Sequence, residues 1–162
     1  MRLTTRTAIG LLGFALFPAV VSAELRHVQI TVTGLDCASC ARAMIASVRK
    51  LEGVESVEVS PEKGLVEIAL KADNTVTLPQ LRRTIRSNGN ETKHAQIAGR
   101  GRIVERDGTP ILDLLNGATM EIASRPSDAP TGVVDLTGVA TEQAGNLERV
   151  TIIGIKPAGQ TR

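Results

Sequence analysis

Gly34-Leu35-Asp36-Cys37-Ala38-Ser39-Cys40 holds the only two cysteines of the chain and stands where one hydrophobic period gives way to another. Upstream, Val28, Ile30 and Val32 recur every second residue, with His27, Gln29, Thr31 and Thr33 between them, the pattern of a strand covered on one face. Downstream, Ala41, Met44, Ile45, Val48 and Leu51 recur at helical spacing and leave Arg42, Arg49 and Lys50 for solvent. Gly53 is placed to stop that helix. The stretch is a strand-to-helix turn with two thiols at the start of the helix.

Two thiols separated by two residues at a helix start can point at one common atom, and the unpaired amides there favour thiolate over thiol. Two converging thiolates suit Cu(I) or another soft, low-coordinate ion better than Mg or Ca. The same spacing also serves disulfide exchange, zinc half-sites and structural disulfides. A thioredoxin-like enzyme is expected to carry a bulky residue before the first cysteine and often Pro or His between the two. Here Ala38 and Ser39 leave an open loop, and Asp36 places a negative charge beside the first thiol. A structural disulfide closing so short a loop removes little unfolded-state entropy. These comparisons favour metal binding by Cys37 and Cys40.

Residues 1–23 read as an export signal: Arg2 and Arg6 without an acid, an apolar run from Ala8 to Val21, and Val21-Ser22-Ala23 as a small-residue cleavage site before Glu24. The apolar run is shorter than the ~20 residues a membrane-crossing helix needs, so the mature form is expected to have no span. The expected location is periplasmic or secreted. That compartment is oxidising, and a disulfide is there the default fate of neighbouring thiols.

Loss of Arg2 and Arg6 brings the 19 basic residues to parity with the 17 acidic ones, and nothing in this balance argues for nucleic acid. Phe14 and Phe17, the only aromatic residues, leave with the leader. The cores must therefore be aliphatic, and recognition by base stacking or an aromatic cage is excluded. The remaining chain, about 139 residues, suffices for one medium domain or two small ones.

Beyond the first helix, Val57 and Val59 begin a second strand, Ser60-Pro61-Glu62-Lys63-Gly64 reads as a hairpin connection, and Val66, Ile68 and Leu70 form a third strand. Thr77 and Gln80 have capping-box spacing at the start of a second helix that turns Leu78, Leu81 and Ile85 inward and ends near Gly89. Glu91 to Ala98 is a weaker last strand. The order β-α-β-β-α-β predicts an α+β, ferredoxin-like domain over 24–98, with both helices on one face of a four-stranded antiparallel sheet. Gly99-Arg100-Gly101 reads as a linker. Residues 102–156 alternate short apolar stretches with turn signals at Asp107-Gly108, Asn116-Gly117, Pro126 to Pro130 and Ala144-Gly145-Asn146, which predicts a small all-β domain, an OB-like barrel or a sandwich. Residues 157–162 read as a tail.

With strand, cysteine loop and helix in this order, residues 25 to about 98 resemble the heavy-metal-associated domain of copper chaperones, copper-transporting ATPases and periplasmic mercury-binding proteins. The family's Gly-Met-x-Cys-x-x-Cys corresponds to Gly34-Leu35-Asp36-Cys37-Ala38-Ser39-Cys40, and its helix-ending Leu-x-Gly-Val to Leu51-Glu52-Gly53-Val54. The resemblance implies the ferredoxin-like fold and a soft ion held by Cys37 and Cys40, with a metal transporter or metallochaperone as partner. Leu35 replaces the family's usual Met, whose volume it nearly matches. Asn90 stands where many members carry an aromatic residue.

The resulting expectation is a non-enzymatic, exported metal-binding protein that carries or buffers Cu(I) by ligand exchange, with Hg(II), Zn(II) and Ag(I) as other possible occupants. The alternatives are a thiol-disulfide oxidoreductase and a mercury scavenger. Met44 and Met120 read as core residues. His27 and His94, with Gln29 and Gln96, read as ordinary surface residues, a secondary metal site being the alternative. Arg82, Arg83 and Arg86 read as a solvated basic face of the second helix.

Overall fold

The computed structural model describes residues 24–35, 37–114, 116–130, 132–145 and 147–159. The expected leader at 1–23, Asp36 and the end of the expected tail lie outside the described residues.

Strand β1 (Leu25–Thr33) buries Val28, Ile30 and Val32 and leaves Gln29 and Thr31 half-exposed, as its alternation requires. Helix α1 (Ala38–Arg49) buries Ala41, Met44 and Val48. The chain turns at Gly53, whose φ is +94° and where a Cβ would lie 2.8 Å from Asn74 Cβ, so both conformation and space select glycine. Asn74 closes this corner from within: its Nδ2 donates to Leu25 O and Lys71 O, each at 2.8 Å, and its Oδ1 accepts the Val76 amide at 3.0 Å.

β2 (Val54–Ser60) and β3 (Leu65–Leu70) flank a single 3₁₀ turn at Pro61–Lys63. α2 (Leu78–Arg86) begins with Pro79 in its first turn and with Thr77 Oγ1 accepting the Gln80 amide at 3.3 Å, the cap expected from the sequence. β4 (Glu91–Arg106) completes the antiparallel order β2-β3-β1-β4, with α1 packed on β2, α2 on β4 and the helices on each other. The ferredoxin-like expectation for this half is met.

The second half departs from expectation at its start. Gly99-Arg100-Gly101, read as a linker, lies inside β4, which continues to Arg106. Residues 95–99 of β4 pair with β1 and with β7 (Val133–Glu142) at once, and Arg102 pairs with both Asp113 of β5 (Thr109–Asp113) and Val133 of β7. β1 and β5 therefore follow one another along the same edge of β4, and β7 holds the opposite edge. The two glycines mark the change of partner. A Cβ on Gly99 would lie 2.5 Å from Glu24 O, and one on Gly101 2.7 Å from Leu112 Cδ1. A glycine pair that reads as a break in sequence is here imposed by close approach within a strand. Gly99→Ala is expected to destabilise the protein by ~1–3 kcal/mol, because the obstacle is backbone and cannot rotate away; an unchanged urea midpoint would refute this account.

β6 (Thr119–Ser124) and β8 (Glu148–Pro157) complete the sheet. The pairings run β4-β5-β6-β8-β7 and return to β4, with β6 and β8 parallel and the other pairs antiparallel. The expected separate β domain is replaced by a mixed eight-stranded sheet whose C-terminal strands form a ring through β4. Its core is aliphatic: Leu112, Leu114, Met120, Ile122, Val134, Leu136, Val150 and Ile152 are buried.

The helix α2 also joins the halves, which corrects the reading of its arginines as a solvated face. Arg82 is fully buried; its Nε donates to Glu148 Oε1 at 2.6 Å and its Nη2 to Glu148 Oε2 at 3.3 Å and to Ala140 O at 3.4 Å, while its Nη1 donates to Lys93 O. Arg86 pairs with Glu142 and donates to Thr92 Oγ1 at 2.8 Å. Glu142 and Glu148 face each other across the β7–β8 hairpin, so the two arginines, one helical turn apart, take hold of one end of it. Burial raises the Glu148 carboxyl above its ordinary value, opposed by the Arg82 guanidinium, whereas the hydrogen bond from Arg86 lowers that of Glu142. Arg83 alone of the three stays exposed.

Candidate metal centre

The cysteine loop is positioned by β1, which delivers the chain to it, and by α1, whose first turn it opens. Gly34 turns the chain with φ +87°, and Leu35 is buried. Cys37 is the N-cap of α1: its backbone is extended, with φ −137° and ψ 143°, and its Sγ accepts the Cys40 amide at 3.0 Å. Ser39 Oγ lies 3.0 Å from the same sulfur. This cap uses a cysteine sulfur where oxygen is usual, and it holds Cys37 over the helix end.

Cys37 and Cys40 lie with their Cα atoms 5.2 Å apart and are joined as a disulfide. Both are half-buried, while Ala38 and Ser39 between them are exposed. Two-electron reduction of this bond leaves two sulfurs side by side at the protein surface. Among the described residues, no group of three or more His, Cys, Asp and Glu converges to hold an ion. Two sulfurs at a helix start are donors of the kind that soft ions prefer. α1 carries no acidic residue, and Arg42, Arg49 and Lys50 on it and just past it are exposed, so the exposed side of this helix is cationic.

Other sequence candidates separate from this centre. Met44 and Met120 are core residues, as expected. His94 Nε2 lies 3.1 Å from Thr31 Oγ1, whereas His27 is opposite Ala98, on the far side of the Gln29–Gln96 rung. The two histidines are thus not brought together. Asn90 is buried beside the loop: its Nδ2 donates to Asn88 O at 3.1 Å, and its Oδ1 lies 3.9 Å from where a Cβ of Gly34 would be. A small carboxamide therefore stands beside the turn that leads into the cysteine loop. Glu148 and Asn74 escape the sequence reading, and Arg82 has a solvated place in it, because the Arg82–Glu148 pair and the bond from Asn74 to Leu25 O join residues far apart along the chain that no local spacing reports.

The ferredoxin-like half agrees with what comparison finds. Residues 29–91 match the family model for the heavy-metal-associated domain. Copper chaperone CopZ of Staphylococcus saprophyticus is 34% identical over 64 residues, which is 40% of this chain and 93% of that protein. The chain belongs to the heavy-metal-associated domain family. Among solved structures, a copper-binding domain from HMA7, a P-type ATPase, aligns at 25% identity over 44% of this chain and 92% of its own, with a TM-score of 0.39. A solution structure of a protein from Bacillus anthracis str. Ames aligns at 30% identity over 44% of this chain and 97% of its own, with a TM-score of 0.38.

Proposed function

We propose that this protein is an exported carrier of Cu(I), held by the reduced sulfurs of Cys37 and Cys40 and handed on by ligand exchange. The observation that carries the reading is the pair itself: two cysteines 5.2 Å apart, one capping α1 and the other in its first turn, in a chain of the heavy-metal-associated family. The named relative is a copper chaperone, which supports copper as the cargo. A two-sulfur site is incomplete, so a thiolate or thioether of a partner can add before either cysteine leaves, and the ion passes without being released to water. The exposed first turn of α1 at Ala38 and Ser39 gives that partner room.

The cationic side of α1 suits an acidic transporter or metallochaperone surface. No helix among the described residues is long and apolar enough to cross a membrane. Export rests on the leader read at 1–23. The C-terminal ring, which we read as an OB-like barrel, is assigned to partner contact.

The disulfide favours one second reading, a thiol-disulfide oxidoreductase. Both readings use the same sulfurs, and the oxidation state separates them. Reduced protein is expected to take up one Cu(I) in competition with a chelator, and oxidised protein none. Uptake by both forms would place the ion elsewhere. Turnover of a disulfide substrate by metal-free protein, abolished by Cys37→Ser, would decide for the oxidoreductase.

A further inference from the structure

The sheet face turned away from the helices carries a feature that the cysteine centre does not use. Three adjoining cavities cross β1, β4, β7 and β8, joined by shared lining residues Ala98, Thr137, Asp135 and Lys156; the largest, about 380 Å³, lies beside His27, Gln29 and Gln96. Together they form one trough. Its floor is low because Ala98, Gly99, Gly138 and Gly154 bring almost no side chain to it. Gly138 cannot be otherwise, since a Cβ there would lie 2.7 Å from Thr151 O.

One rim of the trough is a β-bulge. Thr137 pairs with Gly154 and Gly138 with Ile152, which leaves Ile153 as the extra residue in β8. Its side chain is 68% exposed, a degree that among the large aliphatic groups of the described residues only Leu147 shares. Bulges of this kind re-aim a side chain, and here the side chain aimed at water is an isoleucine.

The far end of the trough is cationic. Arg100 is engaged by Asp135, with Nε to Oδ1 at 2.7 Å and Nη2 to Oδ2 at 3.2 Å, so that carboxylate is already occupied. Arg26 is half-exposed, and its partner Glu24 is buried beneath it. Lys156 is exposed and takes part in no ion pair among the described residues. The acids at this end are thus turned inward or paired, and the cations face out. Lys156 stands three residues beyond Ile153, about 10 Å along an extended strand.

We propose that this trough binds a segment of a partner protein in the polyproline-II conformation, in which side chains three residues apart lie on one side about 9 Å from each other, placing an apolar side chain against Ile153 and, three residues along, a carboxylate between Arg26 and Lys156. Charge complementarity selects an acidic segment, the glycine floor admits its backbone, and the bulged isoleucine supplies the apolar contact. The trough lies toward the start of β1, whereas the cysteine loop follows its end, so both can be occupied at once.

The test is an amide chemical-shift titration of the described fold with the synthetic peptide acetyl-Thr-Leu-Thr-Thr-Asp-Thr-amide. Saturable shifts at Gln96–Arg100, Thr137–Gly138 and Ile153–Lys156 are expected. Affinity should fall at least about tenfold, ~1.4 kcal/mol, when Lys replaces the peptide's Asp, and by a similar factor in Ile153→Asp and in Lys156→Glu. Both substitutions are at exposed positions, and unchanged Cu(I) uptake by the reduced variants verifies that they fold. Absence of saturable shifts, equal binding of the Lys peptide, or undiminished binding by both variants would overturn the proposal. So would concentration-dependent shifts of the same amides without peptide, which would make a second copy of the chain the occupant.

Discussion

Reduced protein carrying Cys37→Ser and Cys40→Ser together is expected to bind Cu(I) at least about a thousandfold more weakly than the unmodified chain, a loss of ~4 kcal/mol or more. Serine preserves size and can still cap α1, so helix content should hold while the soft ligands are lost. Each single replacement should cost nearly as much as the double one, because one thiolate cannot retain a two-coordinate ion against a competing chelator. That near-equality distinguishes a shared ion from two independent thiol sites, whose losses would add. Competition titration under reducing conditions reads the result directly. Equal affinity of the double variant and the parent would eliminate the centre assigned to these sulfurs.

The second large effect lies far from the cysteines. Glu148→Ala is expected to destabilise folding by ~3–5 kcal/mol, because it strands the Arg82 guanidinium in the interior with only carbonyl partners. That is a large fraction of the ~5–15 kcal/mol by which domains are usually stable. The loss measures the cost of an unpaired buried charge, not the net worth of the ion pair. Replacing both members, Arg82→Met with Glu148→Leu, should therefore recover most of the loss. Urea denaturation of the two variants and the parent decides this; a double variant no better than Glu148→Ala would show that the pair itself carries the stability. The more exposed Arg86–Glu142 pair should matter less, and Glu142→Ala serves as the reference. Burial raises the Glu148 carboxyl above its ordinary value, so its own ionisation opposes folding. The contribution of this group is therefore fully present below its unfolded value and declines as pH rises through the raised one.

The parts legible from sequence were those whose cause is local. Alternation at Val28, Ile30 and Val32, the helical spacing of Ala41, Met44 and Val48, the Thr77–Gln80 cap and the stop at Gly53 each report a neighbour within one turn or one strand. The same holds for the site, since Cys37 and Cys40 lie in one loop and one turn. What could not be read depends on residues brought together from afar. Arg82 and Glu148 are separated by 66 positions, and arginines at this spacing on a helix look solvated until the β7–β8 hairpin is laid against them. Gly99 and Gly101 look like a hinge until Glu24 and Leu112 are seen pressed against them. The two outcomes share a reason: periodicity records which side of an element is covered, but not what covers it.

The single strand that serves both halves also bears on how such a chain can be assembled or taken apart. Cutting at residue 91, where the family match ends, would remove the last strand from the ferredoxin-like half, while cutting at 106 would deprive the ring of its first. Neither piece is a portable cassette, and recombination that moved one without the other would leave raw edges on both.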